Sequence, residues 1–139
     1  MGQISVVVSL GSNFGLREES VSNAIDFLRS LKEDDFEVSH IYETPDIHGL
    51  SHPYMNAVAF FSTSIALKDL SIIFKDYEIL HGRTPEMRLK GLVPIDIDIV
   101  IVDGNIIRPK DFRCDFFRIG YESLGNNRIL SGLLREVSI

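Results

Sequence analysis

The stretch PIDIDIVIV (Pro94–Val102) alternates apolar and acidic residues and then becomes wholly apolar. Alternation along a strand predicts that four isoleucines share one face, namely Ile95, Ile97, Ile99 and Ile101. Asp96 and Asp98 then lie together on the other face, which Val100 and Val102 continue. We therefore predict a strand over Ile95–Val102 with a carboxylate pair at its open end.

The chain before this stretch contains signals for three more strands and two helices. β-branched runs and a period of two predict strands over Gln3–Leu10, over Phe36–Glu43 up to Thr44-Pro45, and over Tyr54–Thr63. Apolar residues at helical spacing predict a first helix on Val21, Ala24, Ile25, Leu28 and Leu31. The same spacing predicts a second helix, ended by Gly82, on Leu67, Leu70, Phe74, Tyr77 and Leu80.

The resulting order of strand, helix, strand, strand, helix and strand indicates an α+β fold. It is the order of a ferredoxin-like, split βαβ domain, in which an antiparallel sheet carries both helices on one face. We expect a single domain over residues 1–139. Beyond this core, Asn105–Arg108 is a candidate short strand, and a candidate closing helix contains Ile129, Leu130, Leu133, Leu134 and Val137.

Composition excludes several classes of protein. The 139 residues are 45% hydrophobic and 24% charged, which is typical of a globular domain with a sizeable core. No apolar run is long enough for a spanning helix, and Cys114, the single cysteine, has no partner for a disulfide, so we expect a cytoplasmic protein. The net charge of -6 argues against a general nucleic-acid binder.

Half of the basic residues nevertheless fall in one segment. Seven of the 14 Lys and Arg lie between residues 83 and 118, namely Arg83, Arg88, Lys90, Arg108, Lys110, Arg113 and Arg118. Three of these seven, Arg83, Arg88 and Lys90, lie between Gly82 and Asp96. This stretch, the basic connection, has about a dozen residues without periodicity and is longer than most connections in a compact domain. A local phosphate site is one interpretation of this connection, and a solvated surface loop is the other.

The acidic pair suggests metal binding. Successive same-face residues of a strand are about 7 Å apart, so Asp96 and Asp98 can bridge a pair of hard cations through oxygen ligands. The alternative is a solvated polar edge. Cations beside two carboxylates are what a polyphosphate with its metal ions needs.

A possible ring-binding surface lies on another strand. Tyr54 and Asn56 are two residues apart and so share a face, where an aromatic ring and an amide suit a heteroaromatic ligand. A tyrosine buried in the core is the alternative. Lys75 and Glu78 are three residues apart on the second predicted helix, which is the spacing of an ordinary surface ion pair. By themselves they predict no site.

Five segments taken in order resemble the 6-hydroxymethyl-7,8-dihydropterin pyrophosphokinases of folate biosynthesis. They are Ser9–Asn13 (SLGSN), Tyr42–Pro45 (YETP), Tyr54–Val58 (YMNAV), Glu78 with Gly82-Arg83, and Pro94–Ile99 (PIDIDI). The match spans about the first 105 residues. The family's ferredoxin-like core agrees with the order of elements predicted above. The resemblance implies transfer of the pyrophosphoryl group of ATP to the hydroxymethyl group of a reduced pterin, with release of AMP.

The resemblance also implies roles for individual residues. Asp96 and Asp98 would hold two Mg²⁺ ions on the triphosphate of ATP, the co-substrate. The residues implied to bind the pterin are Thr44, Pro45, Ile47, Tyr54, Asn56 and Phe117. Those implied to face ATP are Lys75, Glu78, Arg83 and Arg88, and those implied to be catalytic are Arg83, Arg88, Asp96 and Asp98. We expect a monomer whose partners are these two small molecules, with no nucleic acid and no membrane.

Departures from the family lie in the basic connection and the C-terminal third. Pro85 stands where the family commonly has a second Arg, and Leu89–Val93 (LKGLV) replaces its Arg-Trp-Gly-Pro-Arg run. The aromatic residue that closes over the pterin has three candidates, Phe116, Phe117 and Tyr121. A noncatalytic module that binds a nucleotide or pterin is therefore the alternative function. Retention of Asp96 and Asp98 favours the enzyme.

Overall fold

The computed structural model describes residues 2–125 and 135–136. The strands are β1 (Ile4–Ser12), β2 (Asp34–Val38), β3 (Tyr42–Thr44), β4 (Tyr54–Thr63), β5 (Asp96–Val102), β6 (Asn105–Ile106) and β7 (Arg135–Glu136). The helices are α1 (Arg17–Leu31), α2 (Leu67–Leu80), α3 (Pro85–Leu89), α4 (Pro109–Phe112) and α5 (Asp115–Glu122).

All strands belong to one sheet in the order β2-β4-β1-β5-β6-β7, with β3 also paired to β4. Pairing is antiparallel except between β6 and β7. Four neighbouring strands of this sheet are β2, β4, β1 and β5. They correspond to the second, third, first and fourth strands predicted from the sequence, which is the ferredoxin-like arrangement. The predicted α+β, ferredoxin-like fold is therefore confirmed.

Hydrophobic side chains bury both faces of the sheet. On one face, α1 and α2 pack against the main cluster, which includes Val6, Leu10, Leu28, Phe61, Phe74 and Ile97. On the other face, α5 packs against a second cluster, which includes Val7, Val58, Val100, Ile101, Phe117 and Tyr121. The second layer explains why β1 and β4 are buried along almost their whole length.

A β-bulge corrects the predicted phase of β5. Consecutive residues of β1 pair with Ile99 and Ile101, which are two apart, so Val100 is an extra residue. An extra residue reverses the alternation of faces beyond it. Ile101 therefore packs in the second cluster and Val102 against the main one, the reverse of the prediction. Asp96 and Asp98 precede the bulge and keep their predicted common face.

The predicted second strand is interrupted as well. Between β2 and β3, the three residues Ser39–Ile41 face only two residues of β4. The Ser39 hydroxyl replaces a backbone acceptor, since Val58 N donates to its Oγ over 2.9 Å. The period of two over Phe36–Glu43 predicts that Phe36 and Tyr42 share a face. The extra residue instead turns Ile41 toward the main cluster and Tyr42 toward α5, so that prediction is wrong.

The connection after α2 contains a short helix that the sequence analysis missed. Thr84 caps α3, because its Oγ1 accepts a hydrogen bond from Met87 N over 3.1 Å, and Pro85 occupies the first helical turn, where it needs no donor. Gly82 adopts a φ of 106°, which ends α2 as predicted. Leu80, predicted on the apolar face of α2, is 80% exposed.

The C-terminal predictions have mixed outcomes. The short strand predicted at residues 105–108 corresponds to β6. Most of the predicted closing helix lies outside the described residues, and Arg135–Glu136, the described part of that segment, form β7 instead. No helix of the described chain combines the length and the apolar character needed to cross a membrane.

Candidate functional site

Two cavities meet at the start of β5. The larger is a cleft of about 890 Å³ between α2, α3 and β5, and the smaller, of about 230 Å³, lies between β1, β4 and the residues after β3. Asp96, Asp98 and Arg108 line both. The predicted carboxylate pair therefore lies at the junction of the two cavities.

The carboxylates are held in place by the sheet. Asp96 pairs with Gly11 of β1, and the side chains of Asp96 and Asp98 are 35% and 26% exposed. A Cβ atom at Gly11 would lie 3.3 Å from the ring of Tyr54. The glycine at this position therefore lets the Tyr54 ring lie close to the backbone beside the acids.

An ion-pair network neutralises one side of the pair. Arg83 Nη1 donates to Asp96 Oδ1 over 2.7 Å and contacts Glu78 Oε1 at 3.3 Å. Glu78 Oε2 accepts a hydrogen bond from Ile97 N over 2.8 Å. Burial is the main reason why the pKa of Glu78 rises to about 7. Glu78 thus joins α2 to the start of β5 and positions Arg83.

The two aspartates differ in their protonation. Burial, together with the negative charge of Asp96, raises the pKa of Asp98 to about 8. Burial also opposes ionisation of Asp96, but hydrogen bonds with Asp98 and Arg83 outweigh it and lower the pKa of Asp96. Two carboxylates that compete for one proton are short of positive charge, which a bound cation supplies.

The donor set fits Mg²⁺. Asp96 and Asp98 offer hard oxygen ligands on a partly exposed surface, and Mg²⁺ in nucleotide sites commonly takes one or two carboxylates and completes its shell with phosphate and water. No group of three or more His, Cys, Asp or Glu able to hold a metal occurs among residues 2–125 and 135–136. The protein part of such a site would therefore consist of these two carboxylates.

The large cleft brings together all four residues expected to face ATP. Lys75 and Glu78 reach it from α2, Arg83 from the turn after α2, and Arg88 from α3. Lys90, the other cation of this connection, lies outside the cleft lining and is exposed. The short helix α3 decides this difference, since it fixes which basic side chain turns toward the cleft.

Asn13 ties the far end of the basic connection to β1. Its Nδ2 donates to Gly91 O over 2.9 Å, and its Oδ1 accepts from Val93 N over 2.6 Å. Ser51 Oγ also donates to Gly91 O, over 2.8 Å. Asn13, the last residue of the segment Ser9–Asn13, thus fixes the part of the chain that follows α3.

The small cavity contains five of the six residues expected to bind the pterin, namely Thr44, Pro45, Ile47, Tyr54 and Asn56. Asn56 is 2% exposed, and its Nδ2 donates to Thr44 Oγ1 over 2.9 Å and to Tyr42 O over 3.2 Å. Within the described part of the chain, no donor reaches Asn56 Oδ1. The cavity therefore offers a buried acceptor beside an aromatic ring.

The sixth residue, Phe117, does not line the cavity. It is fully buried in the second cluster, where its ring stacks on Tyr121 at 5.2 Å between centroids. Its neighbour Phe116 lines the cavity instead. Tyr42 fixes this phase of α5, since its hydroxyl donates to Phe116 O over 2.5 Å and accepts from Gly120 N over 3.0 Å. Of the three candidate aromatic residues, Phe116 alone lines it.

Two site residues were not predicted. Arg108 appeared only as a member of the basic segment, and Asp111 was not singled out. Arg108 Nε donates to Asp111 Oδ2 over 2.7 Å, and both residues line the small cavity. The Arg-x-x-Asp spacing across the start of a short helix is the only signal for them in the sequence, and it is a common one.

The chain is similar to known proteins of one family. Residues 7–124 match a family described as 7,8-dihydro-6-hydroxymethylpterin-pyrophosphokinase (HPPK). The chain is similar to two proteins named 2-amino-4-hydroxy-6-hydroxymethyldihydropteridine pyrophosphokinase, from two strains of Porphyromonas gingivalis. Each is 35% identical over 101 residues, which cover 69% of this chain and 67% of the relative.

Proposed function

This chain belongs to the 7,8-dihydro-6-hydroxymethylpterin-pyrophosphokinase family, and we propose that its two cavities bind the two substrates of that reaction. As a member it is an ATP-dependent pyrophosphokinase of folate biosynthesis. ATP occupies the large cleft, and 6-hydroxymethyl-7,8-dihydropterin occupies the small cavity. The hydroxymethyl oxygen attacks the β-phosphorus, and the bond from that phosphorus to the α-phosphate oxygen breaks, which releases AMP.

The observation that carries this assignment is that Asp96 and Asp98 line both cavities. The pyrophosphoryl group leaves a molecule in one cavity and joins a molecule in the other, so charge changes where the cavities meet. We propose that these two carboxylates hold two Mg²⁺ ions. When bound, Mg²⁺ neutralises the phosphate oxygens and supports an in-line displacement.

The residues around the carboxylates have separate tasks in this proposal. Lys75 and Arg88 bind the phosphates of ATP from the wall of the cleft, and Arg83 holds Asp96 in place. Tyr54 and Phe116 contact the faces of the pterin, and Phe116 takes the role first expected of Phe117. Phosphoryl transfer depends mainly on positioning and charge, which such an arrangement supplies.

The pterin is oriented by polar groups at the bottom of the small cavity. Asn56 Oδ1 is a buried acceptor without an internal donor, so an N–H group at the edge of the pterin satisfies it. The residues Thr44–Ile47 form the adjoining wall. A buried acceptor such as Asn56 Oδ1 costs free energy when it has no hydrogen-bond donor. The cavity therefore favours a ring that carries N–H donors at its edge.

The decisive experiment measures AMP formation from ATP and Mg²⁺, with and without 6-hydroxymethyl-7,8-dihydropterin. We expect AMP release that requires the pterin and ceases when Mg²⁺ is chelated. A noncatalytic module would bind either ligand in calorimetry yet release no AMP above the background. The expectations of a monomer and of a cytoplasmic location remain predictions.

Arg88→Ala is expected to lower kcat tenfold or more, about 1.4 kcal/mol, with a smaller effect on ATP affinity. Arg88 lines the cleft from α3 and makes no ion pair within the described residues, so its guanidinium is available to phosphate. Lys90→Ala is the matched control, since Lys90 is exposed two residues away. If both variants retain the kcat of the unmodified chain, Arg88 belongs to the solvated surface.

Asn56→Ala is expected to weaken pterin binding by about 1–3 kcal/mol, because it leaves a donor of the ligand and two acceptors of β3, Tyr42 O and Thr44 Oγ1, without partners. Calorimetry with the pterin measures the loss. Binding of an ATP analogue in the other cavity should change little. Equal losses for both ligands would mean that Asn56 supports the fold and not the recognition of the pterin.

A further inference from the structure

Arg108 differs from the other cations of the site in its position. Within residues 2–125 and 135–136 it is the one basic side chain that lines both cavities, whereas Lys75, Arg83 and Arg88 line the large cleft alone. If the two substrates bind as proposed, the transferred group lies where the cavities meet, beside this guanidinium.

The orientation of Arg108 is set by Asp111. The Nε of Arg108 donates to Asp111 Oδ2 over 2.7 Å, and the Asp111 side chain is only 21% exposed. Because a guanidinium is planar, a bond at Nε also fixes the direction of the two terminal nitrogens. The backbone on either side is fixed too, since β6 precedes Arg108 and α4 begins at Pro109.

The terminal nitrogens of Arg108 remain available to a ligand. Nη1 lies 3.9 Å from Asp98 Oδ1, which is beyond hydrogen-bond distance, and the side chain is 46% exposed. Arg83 is different, since its Nη1 is already bonded to Asp96 and contacts Glu78. Arg83 is therefore occupied by Asp96 and Glu78, whereas Arg108, next to Asp98, keeps its terminal nitrogens for phosphate.

We propose that Arg108 is a catalytic residue of this chain and that Asp111 is its positioning residue, an inference that rests on the proposed function. Arg108 binds nonbridging oxygens of the β-phosphoryl group while the pterin oxygen attacks that phosphorus. The electron pair of the broken bond goes to the oxygen of AMP, and the hydroxyl proton is released to water. Arg108 stabilises the charge that shifts between these oxygens.

A lysine could not fully replace this arginine. A guanidinium contacts two phosphate oxygens at once with a fixed geometry, whereas an ammonium acts as a single point charge on a flexible stem. A purely structural role for Arg108 would depend on its bond to Asp111 and not on phosphate. The two roles can therefore be separated by ligands with and without a β-phosphate.

The test compares Arg108→Ala, Arg108→Lys and Asp111→Asn with Lys110→Ala. Lys110 is the control because it precedes Asp111 on α4 and lines neither cavity. We expect Arg108→Ala to lower kcat for AMP release about 100-fold, the usual effect of removing one preorganised donor. The kcat of Arg108→Lys should exceed that of Arg108→Ala by less than about tenfold. Guanidinium added in solution should partly restore the kcat of Arg108→Ala but not that of Asp111→Asn.

Binding separates this role from a structural one. With Mg²⁺ present, Arg108→Ala should lose at least about tenfold of its affinity for α,β-methylene-ATP and keep its affinity for AMP, which lacks the β-phosphate. Equal losses for the two nucleotides, or a kcat within twofold of Lys110→Ala, would overturn the proposal. Thermal unfolding of each variant identifies one that fails to fold, and Arg108→Lys then provides the comparison.

The two proposals fail in different ways. If the unmodified chain releases no pterin-dependent AMP, the proposed function is wrong. The affinities of Arg108→Ala for α,β-methylene-ATP and for AMP then test phosphate binding by Arg108 on its own. A lost preference for α,β-methylene-ATP supports that binding, and an unchanged preference excludes it. If AMP is released normally by Arg108→Ala, the reaction stands and the role of Arg108 does not.

Discussion

Asp96→Ala and Asp98→Ala are each expected to lower the rate of pterin-dependent AMP release at least about 1,000-fold, or about 4 kcal/mol of transition-state stabilisation. Both carboxylates line both cavities, so under the proposed function each faces the group being transferred. Under that proposal, loss of either one removes a ligand of the Mg²⁺ ions between the substrates. Steady-state assay of AMP at saturating Mg²⁺ measures the effect.

The matched control is Asp76→Ala, because Asp76 is an exposed acid on α2 that lines neither cavity. It should retain the activity of the unmodified chain. Activity within tenfold of that chain in either Asp96→Ala or Asp98→Ala would exclude the carboxylate pair as the metal site.

Loss of activity in the Asp98 variant should not come from unfolding. The pKa of Asp98 is raised from 3.8 to about 8, so without metal this group lowers the free energy of unfolding as pH rises between these values. Asp98→Asn removes that dependence. Its melting temperature at pH 8 should therefore equal or exceed that of the unmodified chain, and a clear decrease would instead indicate a structural role.

Gly120→Ala is expected to lower the free energy of unfolding by about 2–3 kcal/mol, as overpacking does in a close-packed core. A Cβ atom there would lie 2.7 Å from the Tyr42 hydroxyl and 2.7 Å from Val58 Cγ2. Glycine to alanine within a helix ordinarily stabilises by about 1 kcal/mol, so the sign of the change is itself diagnostic. Urea unfolding measures it, and a more stable variant would show that α5 does not press on β4 here.

Tyr42→Phe provides the second arm of this experiment. Alone, it leaves Gly120 N and Phe116 O without the hydroxyl that bonds them. In the Gly120→Ala background the same change also removes one of the clashing atoms, so it should cost less there than in the unmodified chain. Additive losses would mean that the alanine is accommodated away from Tyr42.

Local patterns in the sequence determined most of the elements and the carboxylate pair. The third predicted strand, Tyr54–Thr63, has the bounds of β4, because an apolar run bounded by turn signals depends only on nearby residues. Asp96 and Asp98 share a face for the same reason, since they are two apart before any irregularity. The family resemblance then implied roles for residues such as Lys75 and Glu78, whose types and spacing alone were also those of a surface ion pair.

Partner strands decided the phase of the residues that follow a bulge. Val100 and the segment Ser39–Ile41 each add one residue relative to the facing strand. An extra residue is defined by what it pairs with, and a single strand's sequence does not contain that information. Ile101 and Tyr42 consequently lie on the face opposite to the predicted one.

Tertiary contacts likewise decided which side chains complete the site. Phe116 and not Phe117 lines the small cavity because Tyr42, from a strand 74 residues earlier, bonds the backbone of α5 at Phe116. Arg108 lies next to Asp98 only because β6, which precedes Arg108, pairs with β5. Spacing along the chain predicts which residues share one element, whereas the meeting of side chains from different elements depends on how those elements pack.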